Sequence, residues 1–124
     1  MNSERKRILV IGAELAEPVA ALVGTLGADA KVIEEYAHPS PKTKAAAFSA
    51  LSNEGCVAVI VAYWTCLEVL LEIRERFPAL KTIFLNSYSP ELADTARAKG
   101  VDVVLPVPRQ PDELAAAIQN TLGP

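Results

Sequence analysis

The single tryptophan of this 124-residue chain lies in the run Tyr63-Trp64-Thr65, directly after a continuously apolar stretch that ends at Ala62. Tryptophan and tyrosine join a large apolar area to one polar handle, which suits them to contact with a ligand or a partner. A second cluster of the same character follows at Asn86-Ser87-Tyr88. Tyr63, Trp64, Thr65, Ser87 and Tyr88 are therefore the candidate edge for a small molecule or a partner protein. The plainer alternative, rings that only fill space, stays open beside it.

Other residues with chemical potential are few. His38 is the sole histidine and sits in the loop His38-Pro39-Ser40-Pro41, with no second residue at metal-ligand spacing, so it is expected to be solvated. No Ser-His-Asp or Cys-His arrangement can be drawn. Cys66 falls near a helix start, where a thiol pKa drops, but no base accompanies it. Cys56 and Cys66 lack Cys-x-x-Cys spacing and read as reduced, mostly buried thiols. Gly12 stands alone in Ile11-Gly12-Ala13-Glu14-Leu15, which is neither a dinucleotide fingerprint nor a phosphate loop, and Glu14 repels a phosphate there. The expectation is no metal and no cofactor.

Composition narrows the classes further. A formal net charge of -3, with 51% hydrophobic and 22% charged residues, is that of an ordinary globular protein. A nucleic-acid surface would show a basic stripe, and Arg5-Lys6-Arg7 reads instead as a solvated chain end. No apolar run approaches the ~20 residues of a membrane helix, and no signal-peptide pattern opens the chain. These features predict one domain over residues 1–124, cytoplasmic, binding neither nucleic acid nor membrane.

The elements that must position these residues alternate strictly. Strands are predicted at Arg7–Ile11, around Ala30–Ile33, at Val57–Val61, at Thr82–Leu85 and at Val101–Leu105. The third is apolar throughout, as a strand covered on both faces must be. Leu15, Val19, Leu22, Val23 and Leu26 mark a first helix that starts near Pro18 and stops at Gly27. Helices follow over 44–51, from Leu67 towards Phe77, from Ser89-Pro90-Glu91 to Gly100, and from Asp112 to Leu122. On the third, Cys66, Val69 and Ile73 widen the apolar arc of Leu67, Leu70, Leu71 and Phe77; ordinary core is the favoured reading, with contact to a partner or a second copy as the alternative. Five β-α units with short connections predict an α/β fold, a flavodoxin-like five-stranded parallel sheet of order 2-1-3-4-5 with helices on both faces.

Several stretches also resemble the receiver domains of bacterial response regulators, the CheY-like family. Lys6-Arg7-Ile8-Leu9-Val10-Ile11 is similar to a receiver's opening strand, and Ile83-Phe84-Leu85-Asn86-Ser87-Tyr88 to its fourth strand and the step after it. Gly100 to Pro108 followed by Pro111-Asp112-Glu113-Leu114 looks like its last strand, lysine-proline turn and final helix. Carried onto this chain, the resemblance places the metal-holding acidic pair at Gly12 and Ala13 and the phospho-accepting aspartate at Ala62. The hydroxyl residue falls on Asn86, or Ser87 in the shifted register, the lysine on Val107, and the aromatic switch position on Val104.

None of those substitutes can do the family's chemistry. Mg²⁺ needs hard oxygen ligands, and glycine and alanine side chains provide none. Phosphoryl transfer needs a positioned nucleophile and a cation against developing charge, and neither alanine nor valine supplies one. The segment after the third strand is also shorter than the usual receiver loop, which leaves Tyr63 and Trp64 beside the vacated site. The resemblance thus implies a degenerate pseudo-receiver, not an enzyme: a non-phosphorylatable regulatory module of two-component-type signalling that binds a protein partner or forms a homodimer. The alternative is a small-molecule-binding or enzymatic flavodoxin-like domain using the carboxyl edge of the strands. A phosphate-independent switch is weakened by Val104, which has no ring.

Overall fold

The computed structural model describes residues 6–35, 41–53, 55–62, 66–86, 90–106 and 111–122. Its elements are β1 (Arg7–Gly12), α1 (Ala16–Thr25), β2 (Asp29–Glu34), α2 (Pro41–Asn53) and β3 (Cys56–Ala62). Then come α3 (Leu67–Arg76), β4 (Lys81–Asn86), α4 (Pro90–Ala98), β5 (Val103–Pro106) and α5 (Pro111–Leu122). All strand pairs are parallel and the sheet runs β2-β1-β3-β4-β5, as the alternation predicts. The carboxyl ends of β1, β3, β4 and β5 therefore lie along one edge, with the order reversing between β1 and β3.

Side chains alternate across the pleat and divide the core in two. Leu9, Ile11, Val59, Val61 and Phe84 pack with α2, α3 and α4 residues on one face. Ile8, Val10, Ala58, Ile60, Ala62, Ile83 and Leu85 pack with α1 and α5 on the other. Ile8, Leu9, Val10, Ile11, Ile60 and Phe84 are fully buried, and each such side chain contributes about 1.5–3 kcal/mol relative to exposure. This central wall holds the strand ends in fixed register.

The helix ends follow from local chemistry. Pro18 is the third residue of α1, inside the first turn where its missing N–H needs no helical partner. Gly27 and Gly100 take φ of 88° and 89°, the left-handed backbone that closes a helix. After α1, Ala28 N–H donates to Val23 O and Gly27 N–H to Gly24 O; after α4, Val101 N–H donates to Ala96 O and Gly100 N–H to Arg97 O. Both closures are Schellman motifs.

Two expectations need correction. β5 begins at Val103, because Val101 belongs to the α4 closure and Asp102 is held by Thr82. α2 starts at Pro41 instead of residue 44, with proline at the first helical position, where it costs no hydrogen bond. The broad apolar arc of α3 is core, the favoured reading: Cys66, Val69 and Ile73 have 0% exposure, and Leu71 and Phe77 pack half-buried on the same core. Phe77 also stacks on Phe48 of α2 at 6.4 Å, with the Arg76 guanidinium 4.6 Å over the Phe48 ring.

Candidate functional site

The site is built where β1 and β3 end side by side. Gly12 is the last residue of β1 and is registered opposite Ala62, the last of β3. Both are buried, Ala62 with 6% exposure. A Cβ placed on Gly12 would lie 3.1 Å from the Ala62 Cβ and 3.5 Å from its carbonyl carbon and oxygen. Gly12 and Ala62, onto which the resemblance carries one metal-binding acid and the phospho-accepting aspartate, thus lie side by side. Between them there is no room for even one added methyl at ordinary contact.

Among the described residues, the backbone carbonyls of Gly12 and Ala13 at this edge both accept hydrogen bonds. Glu35 N–H donates to Gly12 O at 2.8 Å, and Ala16 N–H donates to Ala13 O at 3.2 Å. Glu35 itself accepts from the Thr43 hydroxyl at 2.6 Å, tying it to α2. Glu14, the nearest acid in sequence, is exposed. Mg²⁺ prefers near-octahedral oxygen coordination with carboxylates among the donors. Gly12, Ala13 and Ala62 do not fit that ion, and no group of three or more His, Cys, Asp or Glu side chains among the described residues could hold a metal.

On the outer strands, Asn86 ends β4 with its backbone paired to Pro106 of β5. Val104 pairs with Phe84 and packs half-buried against the α2–α3–α4 core, so the switch position carries a core valine. Tyr63, Trp64, Thr65, Ser87, Tyr88 and Val107 lie outside the described residues, as does His38. Of the two cysteines, Cys66 is buried at the start of α3 and Cys56 half-buried, its thiol donating to Ala50 O at 3.9 Å; neither forms a disulfide.

Two concavities lie away from these residues. One of about 490 Å³ sits between β5 and α5, lined by Lys81, Asp102, Leu105, Glu113 and Asn120 among others. Lys81 and Asp102 place much of it towards the amino ends of the strands. There the Asp102 carboxylate accepts from both the N–H and the hydroxyl of Thr82 at 2.9 Å, while Asp102 N–H donates to the same hydroxyl oxygen at 3.0 Å. The other, about 380 Å³, lies between α1 and α5. Sequence periodicity put Leu15 and Leu22 on the core face of α1, where the most buried residues are Ala16, Val19 and Val23. The two leucines are half-buried, pack against that core as expected, and with Val19 also line the groove. The closeness of Leu15, Leu22 and Pro18 along one helical row was the signal available for it.

No helix among the described residues is long and apolar enough to cross a membrane. No protein-family model matches the chain, and no curated protein matches it by sequence. Solved structures do. The receiver domain of NtrX from Brucella abortus has a TM-score of 0.76 at 21% identity, over 93% of this chain and 97% of that one. An orphan response regulator of H. pylori has a TM-score of 0.73 at 20% identity, over 96% and 99%. An atypical orphan response regulator, described as revealing a phosphorylation-independent regulatory mechanism, has a TM-score of 0.69 at 20% identity, over 94% of each chain. Sheet order, helix placement and these likenesses agree: the chain has the fold of response-regulator receiver domains.

Proposed function

We propose that this chain is a pseudo-receiver, a regulatory module that acts by contact with another protein and accepts no phosphoryl group. The observation that carries the reading is the approach of Gly12 to Ala62, with 3.1 Å between a Cβ at one and the Cβ of the other. A phosphorylatable receiver needs carboxylates and a metal in that space, and in-line transfer needs a nucleophile at the end of β3. Here the same space is closed by apolar atoms and the neighbouring carbonyls already accept hydrogen bonds. The receiver fold supports a place in two-component-type signalling, and the atypical orphan relative supplies a precedent for regulation without phosphate.

The test is a two-dimensional NMR titration of the chain with Mg²⁺ and beryllofluoride, which mimics a bound phosphoryl group. The expected outcome is no saturable shift of the Gly12, Ala62 or Asn86 amides. Saturable shifts at those three positions would overturn the reading, because they require a working anion and metal site.

A further inference from the structure

We infer that the groove between β5 and α5 is a binding site for a short apolar peptide with a free ammonium at one end and a free carboxylate at the other. The inference goes beyond the pseudo-receiver reading and stands independently of it. The groove encloses about 490 Å³. Its floor is Val103 and Leu105, both half-buried and packed on the core that lies towards α1 and α5. Its wall is a row of α5 running from Glu113 through Ala116 and Ala117 to Asn120, the i, i+3, i+4, i+7 spacing of one helical face. Alanine at both middle positions leaves open the space that a longer side chain would fill.

The ends of the groove differ in charge. α5 runs back from the carboxyl end of β5 towards the amino edge of the sheet, so Glu113 stands at one end and Asn120 at the other, where Lys81 opens β4. Among the described residues, Lys81 and Glu113 make no ion pair and the Asn120 side chain makes no hydrogen bond. Asp102 shares the Lys81 end, but its carboxylate already accepts from the N–H and hydroxyl of Thr82. Thr121 is likewise satisfied, its hydroxyl donating to Ala117 O at 2.9 Å. A first-turn acid favours its own helix dipole, which accounts for Glu113. Lys81 starts a strand, and no such interaction accounts for it.

These features set the ligand. Glu113 and Asn120 are separated along α5 by a rise of about 10 Å. Roughly three extended residues span the same length. Their ammonium meets Glu113, their carboxylate meets Lys81 and the Asn120 amide, and their side chains cover Val103 and Leu105. The peptide thus runs antiparallel to β5. Among the described residues β5 is an end strand paired only with β4, so its outer edge offers backbone N–H and C=O groups to an extended chain. That edge favours a peptide over another zwitterion. A long added strand is a poorer match, because β5 has 4 residues and ends in Pro106, which has no N–H.

The probe is a synthetic tripeptide of valine and leucine, titrated into the full chain with both termini free, with the amino end acetylated, or with the carboxyl end amidated. Amide NMR locates the site, and the titration curves give the affinity. The free peptide is expected to give saturable shifts at Val103, Leu105, Ala117 and Asn120. Each cap should weaken binding about two- to fivefold, the range of an exposed ion pair. Glu113→Gln should remove the effect of acetylation alone, and Lys81→Gln the effect of amidation alone. Ala116→Leu, at an exposed helix position, should abolish saturable binding by filling the groove, with circular dichroism checking the fold. Absence of saturable shifts, shifts confined to another surface, or equal binding of free and capped peptides would each overturn the inference. So would cap effects that persist in both charge variants, undiminished binding by Ala116→Leu, or a concentration-dependent dimer that buries the same groove.

Discussion

A side chain at Gly12 has nowhere to go except against Ala62, whose Cβ sits on a central strand and has no torsion to turn. Gly12→Ala should therefore destabilise the protein by about 1–2 kcal/mol through overpacking, outweighing the entropy that alanine removes from the unfolded chain. In an Ala62→Gly background the penalty should shrink by about 0.5–1 kcal/mol, a coupling readable from a double-mutant cycle in urea. Should Gly12→Ala prove neutral with Ala62 intact, the strands have slack and the closed site does not exist. Residue types alone disclosed that the acids were missing at 12, 13 and 62. They did not disclose how closely Gly12 approaches Ala62, because a close approach depends on strand register and pleat. The α1–α5 groove escaped the sequence for a related reason. Leu15 and Leu22 are as hydrophobic as any core residue, and periodicity cannot separate a buried stripe from an adjacent apolar wall.

Among the elements, the ends of α1 and α4 make a controlled comparison. Gly27 and Gly100 hold nearly the same left-handed backbone, but open space surrounds Gly27 while the Arg74 guanidinium packs on Gly100. Arg74 Nε donates to Gly100 O at 2.6 Å, joining α3 to the turn between α4 and β5. Either glycine replaced by alanine should cost about 1 kcal/mol for the backbone alone. Gly100→Ala should cost about 0.5–1 kcal/mol more, because Arg74 must leave and its hydrogen bond goes with it. Thermal unfolding of the two variants, repeated with Arg74→Ala, checks this; a gap that survives the loss of Arg74 would refute the cause given. Both glycines were legible as helix stops. The start of β5 was not, since Val101 is β-branched and buried whether it extends a strand or closes a helix. The Val101-to-Ala96 hydrogen bond decides between those fates, and no residue type announces it.

At the scale of the whole molecule, strand order and layering followed from the alternation of β and α segments, because short right-handed connections leave few other ways to bury a sheet on both faces. The sheet also acts as a partition. Even-numbered residues of β1 face α1 and α5, odd-numbered ones face α2, α3 and α4, and the two cores share no side chain. Val23→Ala on one side and Ile73→Val on the other should each cost about 1–2 kcal/mol and add to within about 0.5 kcal/mol when combined. A larger discrepancy in the double variant's denaturation midpoint would mean that the faces are coupled. Insulation of this kind constrains how strain can cross the molecule. An event on the α1–α5 face reaches the opposite helices only as a shift of strand backbones or around the open edges at β2 and β5. With Gly12 and Ala62 in close contact at the β1–β3 junction, the edges are the softer route, so a displacement on one face would reach the other around the rim of the sheet.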